Sequence, residues 1–212
     1  RPPYFRLDPA WKMRLTAGHS AVLIDGKGHQ YVDGSEGTNS SNASASIVRR
    51  GERNGYFFWT SDATPAYALI QPDVQSITRT VVTLTELPAV LVIDKVVKRD
   101  TASIVQARYY GYNTDGKGTV DANQEAFTIT RPLARLTGSG ASSCGVQYTA
   151  ALPDIPSAQA RLHPFAEVAT ARPAREVCLV TVLLPAQSTG GTGNARIDRE
   201  GSVRGAWARE TV

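Results

Sequence analysis

Three histidines are the side chains of this sequence best suited to metal binding or proton transfer near neutral pH. His19 stands immediately before the apolar run at residues 21–24, and a histidine next to a buried run is a sensible position for a metal ligand. One histidine cannot form a zinc site, and the sequence offers no convincing acidic ligand to accompany it. The alternative for His19 is a hydrogen-bonded side chain at the start of a strand, without a metal.

The other two histidines are not joined to His19 by sequence spacing. His29 follows Gly28 in a turn, where we expect an exposed polar side chain or, alternatively, a contact to substrate. His163 precedes Pro164 in a loop and is expected to face solvent. Spacing alone therefore does not predict a histidine cluster.

The densest group of aromatic and cationic side chains lies at the end of a predicted strand, residues 103–110. It consists of Arg108, Tyr109, Tyr110 and Tyr112. Tyrosine rings stack on sugars and arginine pairs with carboxylates, so Arg108 and Tyr110 are candidate contacts for an anionic glycan. The alternative is an ordinary strand, with one tyrosine in the core and its neighbour outside.

The elements that must position these residues are almost all strands. A turn sequence, Asp25-Gly26, predicts a hairpin between residues 21–24 and 29–32. The strand at 90–97 looks the most buried and is expected to pair antiparallel with 77–84. Residues 33–46, rich in Gly, Ser and Asn, are expected to form an irregular loop. The other predicted strands are 12–16, 56–60, 103–110, 126–130, 134–137, 145–149 and 177–184.

Strands at this spacing predict an all-β fold, an antiparallel two-sheet β-sandwich, over residues 1–187. Residues 188–212 are expected to form a loop-rich C-terminal extension, with one short strand pair around 195–197 and 202–204.

Several segments, in the same order, resemble elements of the heparinase II/III-like polysaccharide lyases. Residues 16–30, with His19 before a β-run and then Asp25-Gly26, resemble the family's segment alanine-His-Asn-Thr, β-run, Asp-Gly-x-Gly-Gln. This chain departs from that pattern at Ser20-Ala21, where Asn-Thr is usual. Further segments resembling the family are 59–67, the pair 78–81 and 91–96, and the late strand 180–185.

The resemblance implies the β-sandwich portion of a polysaccharide lyase that cleaves a uronic-acid-containing glycan by β-elimination. One group neutralises the carboxylate, a base removes the C5 proton, and an acid protonates the leaving oxygen. In the family the catalytic tyrosine comes from an upstream α/α-toroid domain, and a His-x-His-Phe segment supplies a further histidine. In several members a zinc ion lies nearby, and the resemblance makes His19 its third ligand. The other zinc ligands are expected upstream of Arg1. The main catalytic groups are expected there as well, and the resemblance assigns no catalytic residue within this chain.

Composition allows other functions. The net charge is +4 and the pI near 9.2, a mild basic excess that could attract an acidic polymer or only aid solubility. Basic residues do not form a stripe with aromatics, so nucleic acid is not expected, and no apolar run is long enough to span a membrane. The alternatives to a lyase part are a non-catalytic carbohydrate-binding sandwich and a purely structural β domain.

The start of the chain, Arg1-Pro2, lacks a methionine, and we interpret the chain as a processed or excised piece of a longer protein. We expect a periplasmic or secreted protein. In such a compartment Cys144 and Cys178 could form one disulfide, although two free thiols are the alternative.

Overall fold

The computed structural model describes residues 16–29, 44–153 and 163–188, together with the backbone of two strands at 194–200 and 202–209. The strands of the large sheet are β2 (Ser46–Arg53), β3 (Tyr56–Asp62), β4 (Val74–Leu84), β5 (Val90–Lys98), β7 (Thr119–Ala122), β8 (Phe127–Thr130), β9 (Ala134–Ser142) and β12 (Glu176–Gln187). Those of the small sheet are β1 (Val22–Ile24), β6 (Val105–Tyr110), β10 (Val146–Ala151) and β11 (Phe165–Thr170). A helix α1 (Thr64–Ala68) and a last pair, β13 (Asn194–Glu200) and β14 (Ser202–Arg209), complete the described elements.

In the described part of the chain, two antiparallel sheets of four and eight strands enclose the core, which confirms the predicted all-β sandwich. The small sheet has the order β1-β6-β11-β10, and the large sheet has the order β2-β3-β4-β5-β12-β9-β8-β7. β13 and β14 form a separate antiparallel pair in which Ala195 is opposite Ala208. β12 ends at Gln187, and the division of the chain after that residue stays a prediction.

The core lies between the sheets and follows the period-two alternation of the strands. On β6 the buried residues are Val105, Ala107 and Tyr109, and each is followed by a half-buried side chain. Phe127 is the largest fully buried side chain, with 1% of its surface exposed. Its ring covers Gly138 so closely that a Cβ atom there would overlap it, so this position requires glycine.

The predicted turn at Asp25-Gly26 is confirmed. Both residues have positive φ, 51° and 74°, as in the two-residue turns that reverse a strand. Ile24 and Lys27 exchange backbone hydrogen bonds of 2.9 and 3.0 Å across the turn. The sheet partner of β1 is nevertheless β6, with Val22 opposite Ala107, and not residues 29–32, of which the structure describes only His29.

Other strand predictions need correction. The pairing of β4 with β5 is confirmed, but β5 is not the most buried strand, because β11 has all six of its residues buried. The sequence pattern does not indicate β11, β2 or β7. It predicts a loop up to residue 46, whereas β2 begins at Ser46. The predicted strand at 12–16 lies outside the described residues except for Thr16, which begins a 3-10 turn (Thr16–Gly18).

Both cysteine thiols are free, Cys144 buried and Cys178 half-buried.

Among the described residues, no helix has the length and apolar character that a membrane crossing demands.

His163 is buried rather than solvent-facing, so that expectation was wrong. Burial lowers its pKa from the ordinary value of 6.5, although a hydrogen bond with the Gly111 backbone acts in the opposite direction. Protonation is therefore less favourable in the folded than in the unfolded chain. The stability that the neutral imidazole contributes is present above about pH 6.5 and is lost as the pH falls further.

Replacing His163 with asparagine should therefore reduce the stability lost on acidification. The measurement is urea denaturation of both proteins at about pH 7.5 and about pH 5, where the variant should show the smaller decrease. An equal decrease in both proteins would mean that His163 is not part of the acid sensitivity.

Candidate functional site

His19 and Ser20 connect the Thr16–Gly18 turn to β1 at the edge of the small sheet. His19 is half-buried and Ser20 is exposed, so the imidazole lies near the molecular surface and not in the packed interior. A group bound at the surface can therefore reach this segment.

Hydrogen bonds from two strands hold the His19 segment on both sides. From β4, Arg79 Nη1 donates to the Ser20 carbonyl at 2.8 Å. From β6, Arg108 Nη1 and Tyr110 Oη both donate to the Ala17 carbonyl, at 2.9 and 2.6 Å. The backbone N–H of Tyr110 also donates to Ser20 Oγ at 3.0 Å. His19 thus lies in a short segment that is fixed before and after it.

Arg79 is itself fixed by a buried carboxylate. Its Nε and Nη2 donate to the two oxygens of Asp94 at 2.6 and 2.9 Å, and Asp94 is fully buried. Although burial acts to lower the pKa of the guanidinium, the charge of Asp94 raises it above the ordinary value. This two-point contact is the strong form of an ion pair and orients the third nitrogen toward Ser20.

Arg108 and Tyr110, the predicted substrate contacts, lie on the same side of β6 and contact other parts of the chain. Arg108 Nε donates to Glu167 Oε2 at 2.7 Å, and its guanidinium lies 4.1 Å from the centre of the Phe165 ring. Burial raises the pKa of Tyr110 to about 12. Tyr109 is buried between the sheets, so β6 shows the alternation of an ordinary strand. The substrate-binding roles stay predictions.

His29, the third predicted substrate contact, is half-buried rather than exposed. Its backbone N–H donates to Thr16 Oγ1 at 3.1 Å, and its ring meets that of Tyr67 edge-on, 5.9 Å between centres. Burial lowers the pKa of His29, and the charge of His19 lowers it further. The fold therefore brings together two histidines that spacing had not grouped. The hairpin turn between them was the signal that could have shown this.

The imidazole of His19 could serve as one ligand of a zinc ion, but it does not make a complete zinc site. Imidazole is a preferred zinc ligand, but protein zinc sites need at least three protein ligands. Within residues 16–29, 44–153 and 163–188, no group of three or more His, Cys, Asp or Glu side chains could hold a metal. Zinc binding at His19 would thus need ligands from outside these residues.

The two stacked sheets make the described chain an antiparallel β-sandwich, and this fold has similar solved structures. Solved structures with this fold include heparinase III, with a TM-score of 0.63 and 10% identity, and a mutant of the heparan sulfate lyase HepC from Pedobacter heparinus, with a TM-score of 0.62 and 14% identity. A heparinase III gene product has a TM-score of 0.63 and 12% identity.

The comparison covers 95%, 94% and 87% of this chain, respectively, but only 28%, 28% and 26% of those chains. The chain therefore spans about a quarter of the length of these lyases. At such low identity the likeness shows the fold alone. The sequence matches no family model and no curated protein.

Proposed function

We propose that this chain is the β-sandwich portion of a polysaccharide lyase that cleaves a uronic-acid-containing glycan by β-elimination. The catalytic groups come largely from an α/α-toroid domain outside this chain. The observation that carries the proposal is a surface histidine, His19, held rigidly in a fold shared with heparan sulfate lyases. A periplasmic or secreted location belongs to the same proposal.

In this proposal His19 faces a cleft between the sandwich and the second domain. Its imidazole would either exchange a proton with the substrate or serve as one ligand of a zinc ion. Such a metal would stabilise negative charge on the uronate carboxylate. Arg79, Arg108 and Tyr110 position the segment through the Ser20 and Ala17 carbonyls. Arg108, Tyr110 and His29 remain proposed contacts to the acidic polysaccharide.

The test compares the 212-residue chain with the longer protein that the proposal requires, in which an α/α-toroid domain accompanies this chain. Each is incubated with heparan sulfate, heparin and alginate, and the ultraviolet absorbance of the unsaturated uronate product is followed. We expect cleavage of an acidic glycan by the longer protein and none by the chain alone. Cleavage by the chain alone would place the catalytic groups here, and no cleavage by the longer protein would refute the lyase assignment.

A second candidate is a non-catalytic carbohydrate-binding sandwich. Exposed Phe57 and half-buried Trp59 on β3 favour it, because aromatic rings can hold sugars without any catalytic group. Glycan binding by the longer protein, without an unsaturated product, would support this candidate instead.

A further inference from the structure

The large sheet extends beyond the small sheet on the side of β2 and β3. β1, the outermost strand of the small sheet, lies against α1, where Tyr67 Oη donates to the Val22 carbonyl at 2.5 Å. The chain just before β1 lies against β4, where Arg79 binds the Ser20 carbonyl. The buried core of the described chain includes no residue of β2 or β3. The core-facing side of these two strands therefore continues past the edge of the core.

Strand register identifies which side chains lie on that side. Arg50, Trp59 and Val81 are directly opposite one another across β2, β3 and β4, and Val81 is opposite the core residue Val92 on β5. Residues opposite one another in adjacent strands point to the same side of a sheet. Arg50 and Trp59 therefore share the side on which the core is built, although both lie outside the core.

Two neighbouring residues complete this surface. Phe57 lies two residues before Trp59, and the two rings are nearly parallel, 17° apart with 6.1 Å between their centres. Phe57 is 38% exposed, and Glu52 is opposite it on β2. We name the surface formed by Arg50, Glu52, Phe57 and Trp59 the ledge.

The ledge combines two aromatic rings with an exposed guanidinium, and such groups can contact a negatively charged sugar chain. Aromatic rings offer an apolar surface for the C–H faces of sugars, and an exposed guanidinium can bind a carboxylate or sulfate at two points. Of the four charged residues of β2, only Arg50 and Glu52 lie on the ledge side, because Arg49 and Arg53 are on the other side of the sheet. Arg50 is therefore the cation that the ledge itself offers to an anionic sugar. Arg79, opposite Ser61 on β3, connects the ledge to Ser20 and hence to His19.

We propose that the ledge binds an acidic glycan chain and directs it toward His19. The proposal rests on the proposed function for the class of glycan. It adds a binding surface on this chain, with Arg50 and the two rings as the contacts and Glu52 as a repulsive neighbour.

Binding of heparin oligosaccharides to the 212-residue chain, measured by calorimetric titration at about 0.15 M ionic strength, where distant charges are screened, tests the ledge. Arg50→Ala should weaken binding about tenfold, the usual cost of losing a charged hydrogen bond. Phe57→Ala should weaken it about fivefold through loss of the ring surface. Glu52→Gln should tighten it about twofold by removing a like charge. All three side chains are exposed, so circular dichroism should show folded variants.

Arg49→Ala is the matched control, because Arg49 is next to Arg50 in sequence but opposite Thr60, on the other side of the sheet. It should change the Kd by less than about twofold. Equal losses for Arg49→Ala and Arg50→Ala would reduce the effect to general charge attraction and overturn the ledge. Single-stranded DNA competing as strongly as heparin would overturn the preference for glycan.

Cleavage separates this proposal from the proposed function. If the longer protein cleaves glycan and Arg50→Ala leaves its KM unchanged, glycan binding by the ledge is refuted and the lyase assignment stands. If the ledge binds heparin as expected but the longer protein forms no unsaturated product, the lyase assignment fails and the ledge stands.

Discussion

Replacing Asp94 with alanine should lower the free energy of unfolding by about 3–5 kcal/mol, because it leaves a largely buried arginine without its carboxylate. Asp94 is fully buried and the Arg79 side chain is only 20% exposed, so water cannot replace the lost contact well. The guanidinium would also lose the two-point contact that orients it toward Ser20. The measurement is urea denaturation of the variant and the unaltered protein.

Asp100→Ala is the matched control for this effect. Asp100 also pairs with an arginine, Arg99, at 3.1 Å, but the two side chains are 60% and 59% exposed. Its loss should cost less than about 1 kcal/mol, since water screens the pair. Similar costs for Asp94→Ala and Asp100→Ala would contradict the role assigned to burial. The double variant Arg79→Met with Asp94→Leu should recover much of the loss, because no charge is left buried without a partner.

In the longer protein, His19→Ala should lower kcat/KM for glycan cleavage by at least about 100-fold, the usual contribution of a positioned acid–base group. The expectation follows from the fixed position of the segment, with its Ser20 and Ala17 carbonyls bound by Arg79 and Arg108. If His19 is a zinc ligand, the variant should also retain less zinc per chain, as measured by atomic absorption. Far-ultraviolet circular dichroism should remain unchanged, since the side chain is not part of the core.

Lys27→Ala is the control for His19→Ala, because Lys27 is an exposed residue of the neighbouring turn. It should leave both cleavage and zinc content unchanged. Full activity and unaltered zinc content in His19→Ala would exclude both roles of the imidazole.

The sequence predicted those parts of the fold that depend on local patterns. Residues 77–84 alternate between two faces and residues 90–97 are mostly apolar, and the two segments form the antiparallel pair β4 and β5. The turn at Asp25-Gly26 was predictable because Asp-Gly is a preferred pair for turns in which both central residues have positive φ, as they do here. Such signals are carried by neighbouring residues, so they do not depend on which strand lies next in the sheet.

The strands that were missed depend on contacts between distant residues. β11 contains alanines and Glu167, which rarely indicate a buried strand. Glu167 is tolerated there because Arg108 and Gln106 of β6 bind its carboxylate. β2 is rich in arginine and lies at the edge of the large sheet, so it has no apolar alternation to reveal it.

The candidate site was predictable only at His19. The proximity of His29 results from the turn after β1 and from packing of its ring against Tyr67. The internal contacts of Arg108 depend on Glu167 and Phe165, more than 50 positions further along the chain. The ledge depends on the difference in width between two sheets, a property that no local pattern carries.

β2 is the outermost strand of the large sheet among those described, so one row of its backbone N–H and C=O groups has no neighbouring strand there. Unprotected edges invite strands of other molecules to add on, which is a common start of aggregation. Repulsion between the arginines of two such edges disfavours this addition. Arg50, the charge that the ledge would offer to a polyanion, therefore also helps to keep copies of the protein apart.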